Sequence, residues 1–140
     1  MSQLNSGSCR CGTVKVKVTL PQPLCNYAPR RCTCEFCERH DGCYLSDPAG
    51  RLHITTTAAL EEVKQGSGSA SMNFCAVCND LICATFHADS GLIGNIRSGL
   101  LKDASALHEE VNIAPQTLSA TEKITRWQTL WMQVKTTVTQ

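Results

Sequence analysis

Ten of the 140 residues are cysteine, and their spacing limits what they can do. Cys9 and Cys11 are separated by one residue, as are Cys32 and Cys34. A disulfide between such neighbours would close a very small, strained ring. Closely spaced thiols suit a soft cation instead, which gathers thiolates at about 2.3 Å with tetrahedral angles. Cys9-Arg10-Cys11 and Cys75-Ala76-Val77-Cys78 each offer two thiols, and four thiolates close one tetrahedral site. Cys32-Thr33-Cys34-Glu35-Phe36-Cys37 offers three thiols in one short run. Three protein ligands leave a fourth position open to water or a substrate thiol, whose pKa a zinc ion would lower. His40 and Cys43 are the candidates to close that position from the protein; His40 could also be a surface histidine or a proton shuttle. Cys25 and Cys83 read as small buried hydrophobes. Arg30, Arg31 and Arg39 flank the three-thiol run, either as an anion-attracting rim or as ordinary solvated surface.

The elements that must hold these residues read as mostly extended. Residues 13–20 alternate, with Val14, Val16, Val18 and Leu20 on one face and Lys15, Lys17 and Thr19 on the other, which predicts a half-buried strand ended by Pro21 and Pro23. Residues 24–42 read as loop with a short helical turn near Cys37, and Ser46-Asp47-Pro48-Ala49-Gly50 as a turn. Residues 51–57 read as a strand, 58–64 as one or two helical turns, and Gly66-Ser67-Gly68-Ser69 as a flexible loop. Residues 72–75 and 81–87 read as two strands joined by a metal-binding knuckle. Residues 91–97 and 107–113 are further strand candidates. Ile124, Trp127, Trp131 and Val134 fall at helical spacing, and Ser119 with Glu122 forms a capping box, so a helix is expected over about 120–134. Its tryptophans read as core anchors rather than ligand stackers.

Composition narrows the function classes. Thirteen basic against twelve acidic side chains leave a formal charge of +1, which gives a nucleic-acid partner no bulk electrostatic support. Zinc ribbons also keep their cysteine pairs within about 15–20 residues of each other, closer than here. No apolar stretch approaches the roughly 18–20 residues of a membrane span. The opening residues 1–8 have neither a basic start nor an apolar run, so a cytoplasmic location is expected, where thiols are kept reduced.

Taken in order, Gly7-Ser8-Cys9-Arg10-Cys11-Gly12-x-Val14, Cys32-x-Cys34-x-x-Cys37, Gly42 and Phe74-Cys75-x-x-Cys78 resemble the glutathione-dependent formaldehyde-activating enzyme family over roughly residues 7 to 113. The resemblance implies a mainly β fold, a β-tent of antiparallel sheets stapled by zinc, here with a C-terminal helix. It implies a structural zinc on Cys9, Cys11, Cys75 and Cys78 and a second zinc on Cys32, Cys34 and Cys37, the catalytic centre. The implied reaction joins glutathione or a similar thiol to formaldehyde or another small aldehyde, and in reverse it is a carbon–sulfur lyase reaction. Arg30, Arg31 and Arg39 would then meet the carboxylates of glutathione. The expected partner is a small thiol–aldehyde adduct, with no nucleic acid and no membrane.

Two other classes compete. A non-catalytic zinc-stapled binding module of the same fold would not need the second cluster. Methionine-R-sulfoxide reductase, a related zinc fold, keeps a reactive cysteine near its C-terminus, whereas this chain has none after Cys83. The chain departs from the family pattern twice. Asn79 stands where members commonly carry glycine, and asparagine tolerates the left-handed turn required there. The tail reads as a helix where the family usually has a short tryptophan-containing turn. The expected organisation is one domain over 1–140, with 115–140 as a divergent helical extension.

Overall fold

Strict alternation builds the centre of the molecule. Val14, Val16, Val18 and Leu20 are buried while Lys15 and Lys17 face solvent, as a pleated strand with one wet face requires. The computed structural model describes residues 3–64 and 69–139. In chain order it contains β1 (Gln3–Ser8), β2 (Val14–Leu20), β3 (Arg30–Cys32), α1 (Glu35–Arg39), β4 (Cys43–Leu45), β5 (Arg51–Thr56) and β6 (Glu61–Lys64). There follow β7 (Ser71–Phe74), β8 (Leu81–Ala88), β9 (Gly91–Gly94), β10 (Ile96–Arg97), β11 (Val111–Ile113), α2 (Ala120–Leu130) and β12 (Met132–Val138).

The fold is mainly β, as expected. Eight strands form one sheet in the order β1-β2-β5-β12-β9-β8-β7-β6, and four form a second in the order β10-β4-β3-β11. Most pairings are antiparallel, but β12 runs parallel to β5 and β11 parallel to β3, so both sheets are mixed. The chain crosses between sheets at Asn95, whose side chain accepts from the Ala84 amide at 2.9 Å. One core gathers Val16, Leu52, Ile54, Ile82 and Met132; a second gathers Phe36, Met72, Phe74, Leu81 and Trp131. The second core seats α1 against β7 and β8. Among the described residues no helix is long and apolar enough to cross a membrane.

Several local expectations change. Residues 61–64 form edge strand β6 rather than helical turns, because their backbone pairs with β7. β1 carries no apolar alternation and forms by pairing with β2. The last two of the expected strands are shorter: residues 91–97 break into β9 and β10, and within 107–113 only β11 is extended. The tail helix stops at Leu130, because the segment after it is taken up between β5 and β9 as β12. Its start is as read, with Ser119 and Glu122 forming a capping box. Cys25 is exposed, not buried, on a single helical turn that turns Leu24 inward instead. The loop expected at residues 66–69 falls outside the described residues except at Ser69.

Candidate metal centres

The first cluster forms where two turns meet. Between β1 and β2 the chain doubles back, with the Cys9 amide donating to Val14 O at 3.0 Å and Gly12 at a φ of 80°. Between β7 and β8 the knuckle closes through the Asn79 amide donating to Cys75 O at 2.9 Å. Asn79 holds a φ of 65°, the left-handed turn anticipated for it. The Arg10 amide donates to Asp80 Oδ2 at 2.8 Å, and its guanidinium donates to Cys78 O, which ties the two turns together.

Cys9, Cys11, Cys75 and Cys78 bring their four sulfurs within 4.8 Å of one another, a group that could hold a metal ion. Cys9 Sγ lies 3.6 Å from Cys11 Sγ, and Cys11 Sγ lies 3.7 Å from Cys75 Sγ. Sulfurs about 2.3 Å from a tetrahedral centre stand about 3.8 Å apart, so this donor set fits zinc. Backbone amides point at the sulfurs: Val14 N at 3.3 Å from Cys9, and Val77 N and Cys78 N each at 3.4 Å from Cys75. Burial pushes the Cys9 thiol up to about 11, while the hydrogen bond with Thr13 pulls Cys11 down to about 6. A cation is what would make all four thiolates together.

The second cluster is local. Cys32 ends β3, Cys34 caps α1 and Cys37 lies within it. Their sulfurs also converge within 4.8 Å and could hold a metal ion; Cys32 and Cys34 stand 3.4 Å apart. Cys34 Sγ accepts from the Cys37 amide at 3.4 Å. The hydrogen bond with Cys37 lowers the Cys32 thiol to about 6 and, with burial, raises that of Cys37. The Tyr44 hydroxyl lies 3.1 Å from Cys37 Sγ. Gly42 permits this approach: a Cβ there would stand 2.5 Å from Cys37 Cβ and 2.8 Å from Tyr44 Oη.

Neither residue weighed as a fourth ligand joins the cluster. His40 packs between the rings of Phe36 and Phe74, at centroid distances of 4.6 and 5.0 Å. Cys43 Sγ points to Glu110 Oε2 at 3.4 Å, and burial pushes its thiol up to about 11. Among the described residues, no other histidine, cysteine or carboxylate completes the group.

A cavity of about 300 Å³ opens beside these three thiols. Phe36, Met72, Ile113, Trp127 and Trp131 supply apolar walls, and Arg30, Lys123 and Arg126 supply cations. Burial lowers the pKa of Arg30, and the nearby charge of Arg126 pushes it the same way. Arg31 lies outside this cavity, paired with Glu110 at 2.8 Å and Asp41 at 2.9 Å. Arg39 is exposed at the end of α1 and does not line it either. Of the three arginines expected as a rim, the structure brings Arg30 to the cavity. Trp131 is buried, as a core anchor should be, and both tryptophans also face this space.

Sequence reasoning missed Tyr44, Lys123 and Arg126. A tyrosine in an apolar strand carries no local mark of a thiol contact. The helical stripe of Lys123, Arg126 and Trp127, at three- and four-residue spacing, was the available signal.

Comparison with known proteins gives the chain its family. The model of the glutathione-dependent formaldehyde-activating enzyme family matches residues 4–117. A Rhodobacter sphaeroides protein of solved crystal structure shares the fold, with a TM-score of 0.54 and 24% identity over 69% of this chain and 87% of that one. No curated protein matches. With the family model spanning most of its length and both cysteine groups assembled, the chain belongs to the glutathione-dependent formaldehyde-activating enzyme family.

Proposed function

We propose that this protein is a zinc-dependent carbon–sulfur lyase or synthase acting in the cytoplasm, joining glutathione or a similar thiol to formaldehyde or another small aldehyde. Cys9, Cys11, Cys75 and Cys78 hold a structural zinc; Cys32, Cys34 and Cys37 hold a second and form the reacting centre. The chain acts as one domain, with 115–140 its divergent part. The observation that carries this reading is that three sulfurs converge on a cavity wall while His40 and Cys43 turn elsewhere. Cys32, Cys34 and Cys37 would hold the zinc, which when bound would supply Lewis acidity that favours the thiolate form of a thiol substrate.

In the synthetic direction a carbon–sulfur bond forms between the thiol sulfur and the aldehyde carbon. The carbonyl π pair moves to oxygen, and the proton given up by the thiol balances the new hydroxyl. In the lyase direction these changes reverse. The chain's own contribution is position and charge. Tyr44 orients Cys37, Lys123 favours the Cys32 thiolate, and the apolar walls exclude water beside the reacting atoms.

The test is zinc per chain by native mass spectrometry on wild type and Cys34→Ser, with adduct formation from glutathione and formaldehyde followed by NMR exchange. Two zincs falling to one, with loss of the acceleration, is expected. A zinc count untouched by Cys34→Ser would remove the second centre. A count that falls while wild type never accelerated exchange would leave a zinc-stapled binding module.

A further inference from the structure

Resting on that reading of the three-thiol centre, we propose that its thiol substrate is a small mercapto acid with an aromatic or bulky apolar body, rather than glutathione. The walls argue for the apolar body. Trp127 and Trp131 stack with centroids 4.9 Å apart and planes at 14°, and they meet the cavity together with Phe36 and Met72. The amides and ammonium of a peptide thiol would lose water against these rings, and of the polar side chains in the lining Asn95 and Gln116 are already hydrogen-bonded to the Ala84 amide and to Thr33, which leaves Glu35 to meet them.

The cations argue for the acid. Arg30, whose guanidinium donates to Ser46 Oγ, lines the cavity from β3, and Lys123 and Arg126 line it from one face of α2. Among the described residues none of the three forms an ion pair with a carboxylate. Glu35 is the one carboxylate among the described lining residues, and it too is outside any ion pair there. Cations gathered in a largely apolar wall are relieved by an anion among them. A sulfur at Cys32, Cys34 and Cys37, a ring against Trp127 and a carboxylate among Arg30, Lys123 and Arg126 match the thiols, the apolar wall and the cations of the lining.

Lys123, Arg126, Trp127 and Trp131 all lie beyond Thr117, where the family match ends. The part of the cavity that would choose the substrate is therefore the part contributed by this chain's own tail.

The two tryptophans of the protein both face this cavity, so intrinsic fluorescence reports the site. The zinc-loaded full chain is titrated with 2-mercapto-3-phenylpropanoate, with 2-mercaptopropanoate (no ring), 2-phenylethanethiol (no carboxylate), 3-phenylpropanoate (no thiol) and glutathione. The phenyl mercapto acid is expected to bind at least about tenfold tighter than each of the others. Arg126→Gln should cost it about tenfold and leave 2-phenylethanethiol unchanged. Arg30→Gln, on β3, is the second variant should Arg126→Gln disturb α2.

Binding of glutathione or 2-mercaptopropanoate as tight as that of the phenyl mercapto acid would overturn the proposal. So would equal loss of both phenyl thiols on removing the cations. If 3-phenylpropanoate binds as tightly as the phenyl mercapto acid, the apolar-anion selectivity stands and the thiol-binding centre falls instead.

Discussion

At Cys9, Cys11, Cys75 and Cys78, two turns 64 residues apart in sequence meet, and sulfur supplies all four corners. At Cys32, Cys34 and Cys37, one short segment supplies three sulfurs, and a cavity lies beside them. The ligand chemistry is the same; the chain length closed and the space left differ. A metal at the first group would close a long loop and bind the β1–β2 turn to the β7–β8 knuckle, so its binding energy is folding energy. A metal at the second would close almost no loop. β3, α1 and β4 are already held by the core of Phe36, Phe74 and Trp131. Its binding energy is free to serve a ligand.

The largest effect should come from breaking the first group. Structural zinc contributes on the order of 10–16 kcal/mol, as much as or more than the roughly 5–15 kcal/mol of a whole domain. Cys75→Ser should therefore unfold the chain, seen as loss of the folded circular-dichroism spectrum and of both zincs. Cys34→Ser should lose one zinc and stay folded. Equal melting of the two variants would erase the distinction between the groups.

Gly42→Ala comes next. The added methyl meets Cys37 and Tyr44 inside van der Waals distance, so a cost of about 1–3 kcal/mol is expected. It should fall on the second centre, measured as weaker zinc retention there against an unchanged first zinc. Tyr44→Phe is subtler. It keeps the ring and removes the hydroxyl 3.1 Å from Cys37 Sγ, so stability should change by about 1 kcal/mol. Zinc affinity or activity at that centre should fall about 10–100-fold, the usual cost of losing a partner behind a ligand, read by competition with a chelator.

The smallest effect is at the N-terminus of α2. The Ser119 amide and side chain hold the Glu122 carboxyl below its ordinary value of 4.5. A depressed folded-state pKa stabilises above the unfolded value and is lost as pH falls through the folded one. The melting-temperature gap between wild type and Glu122→Ala should be present at neutral pH and close as pH drops below 4.5. Because α2 carries Lys123 and Arg126, loosening it should alter the tryptophan emission while the first zinc stays bound. A gap independent of pH would remove the ionised cap.

Features that depend on neighbours in the chain were readable in advance. Thiol spacing marked the two cysteine pairs and the three-thiol run, alternation defined β2, the turn requirement identified Asn79, and Ser119 with Glu122 marked the start of α2. Each is a short-range pattern whose physics is complete within a few residues. The remainder needed partners from afar. β1 and β6 carry no apolar period, because they are edge strands that form by pairing with β2 and β7. The tail helix stops early because β5 and β9 leave a place for β12 between them. His40 and Cys43 are suitable ligands by type and spacing; ring packing and Glu110 turn them away. Of the arginines around the thiols, Arg31 is drawn off by Asp41 and Glu110, and Lys123 and Arg126 arrive from a helix some ninety residues along the chain. The sequence alone determined the two thiol pairs and the three-thiol run, because their spacing is local; the tertiary structure brought the pairs together across 64 residues. Only the tertiary structure decided what faces the three-thiol run, because a cavity is made of side chains from distant segments and no single segment encodes it.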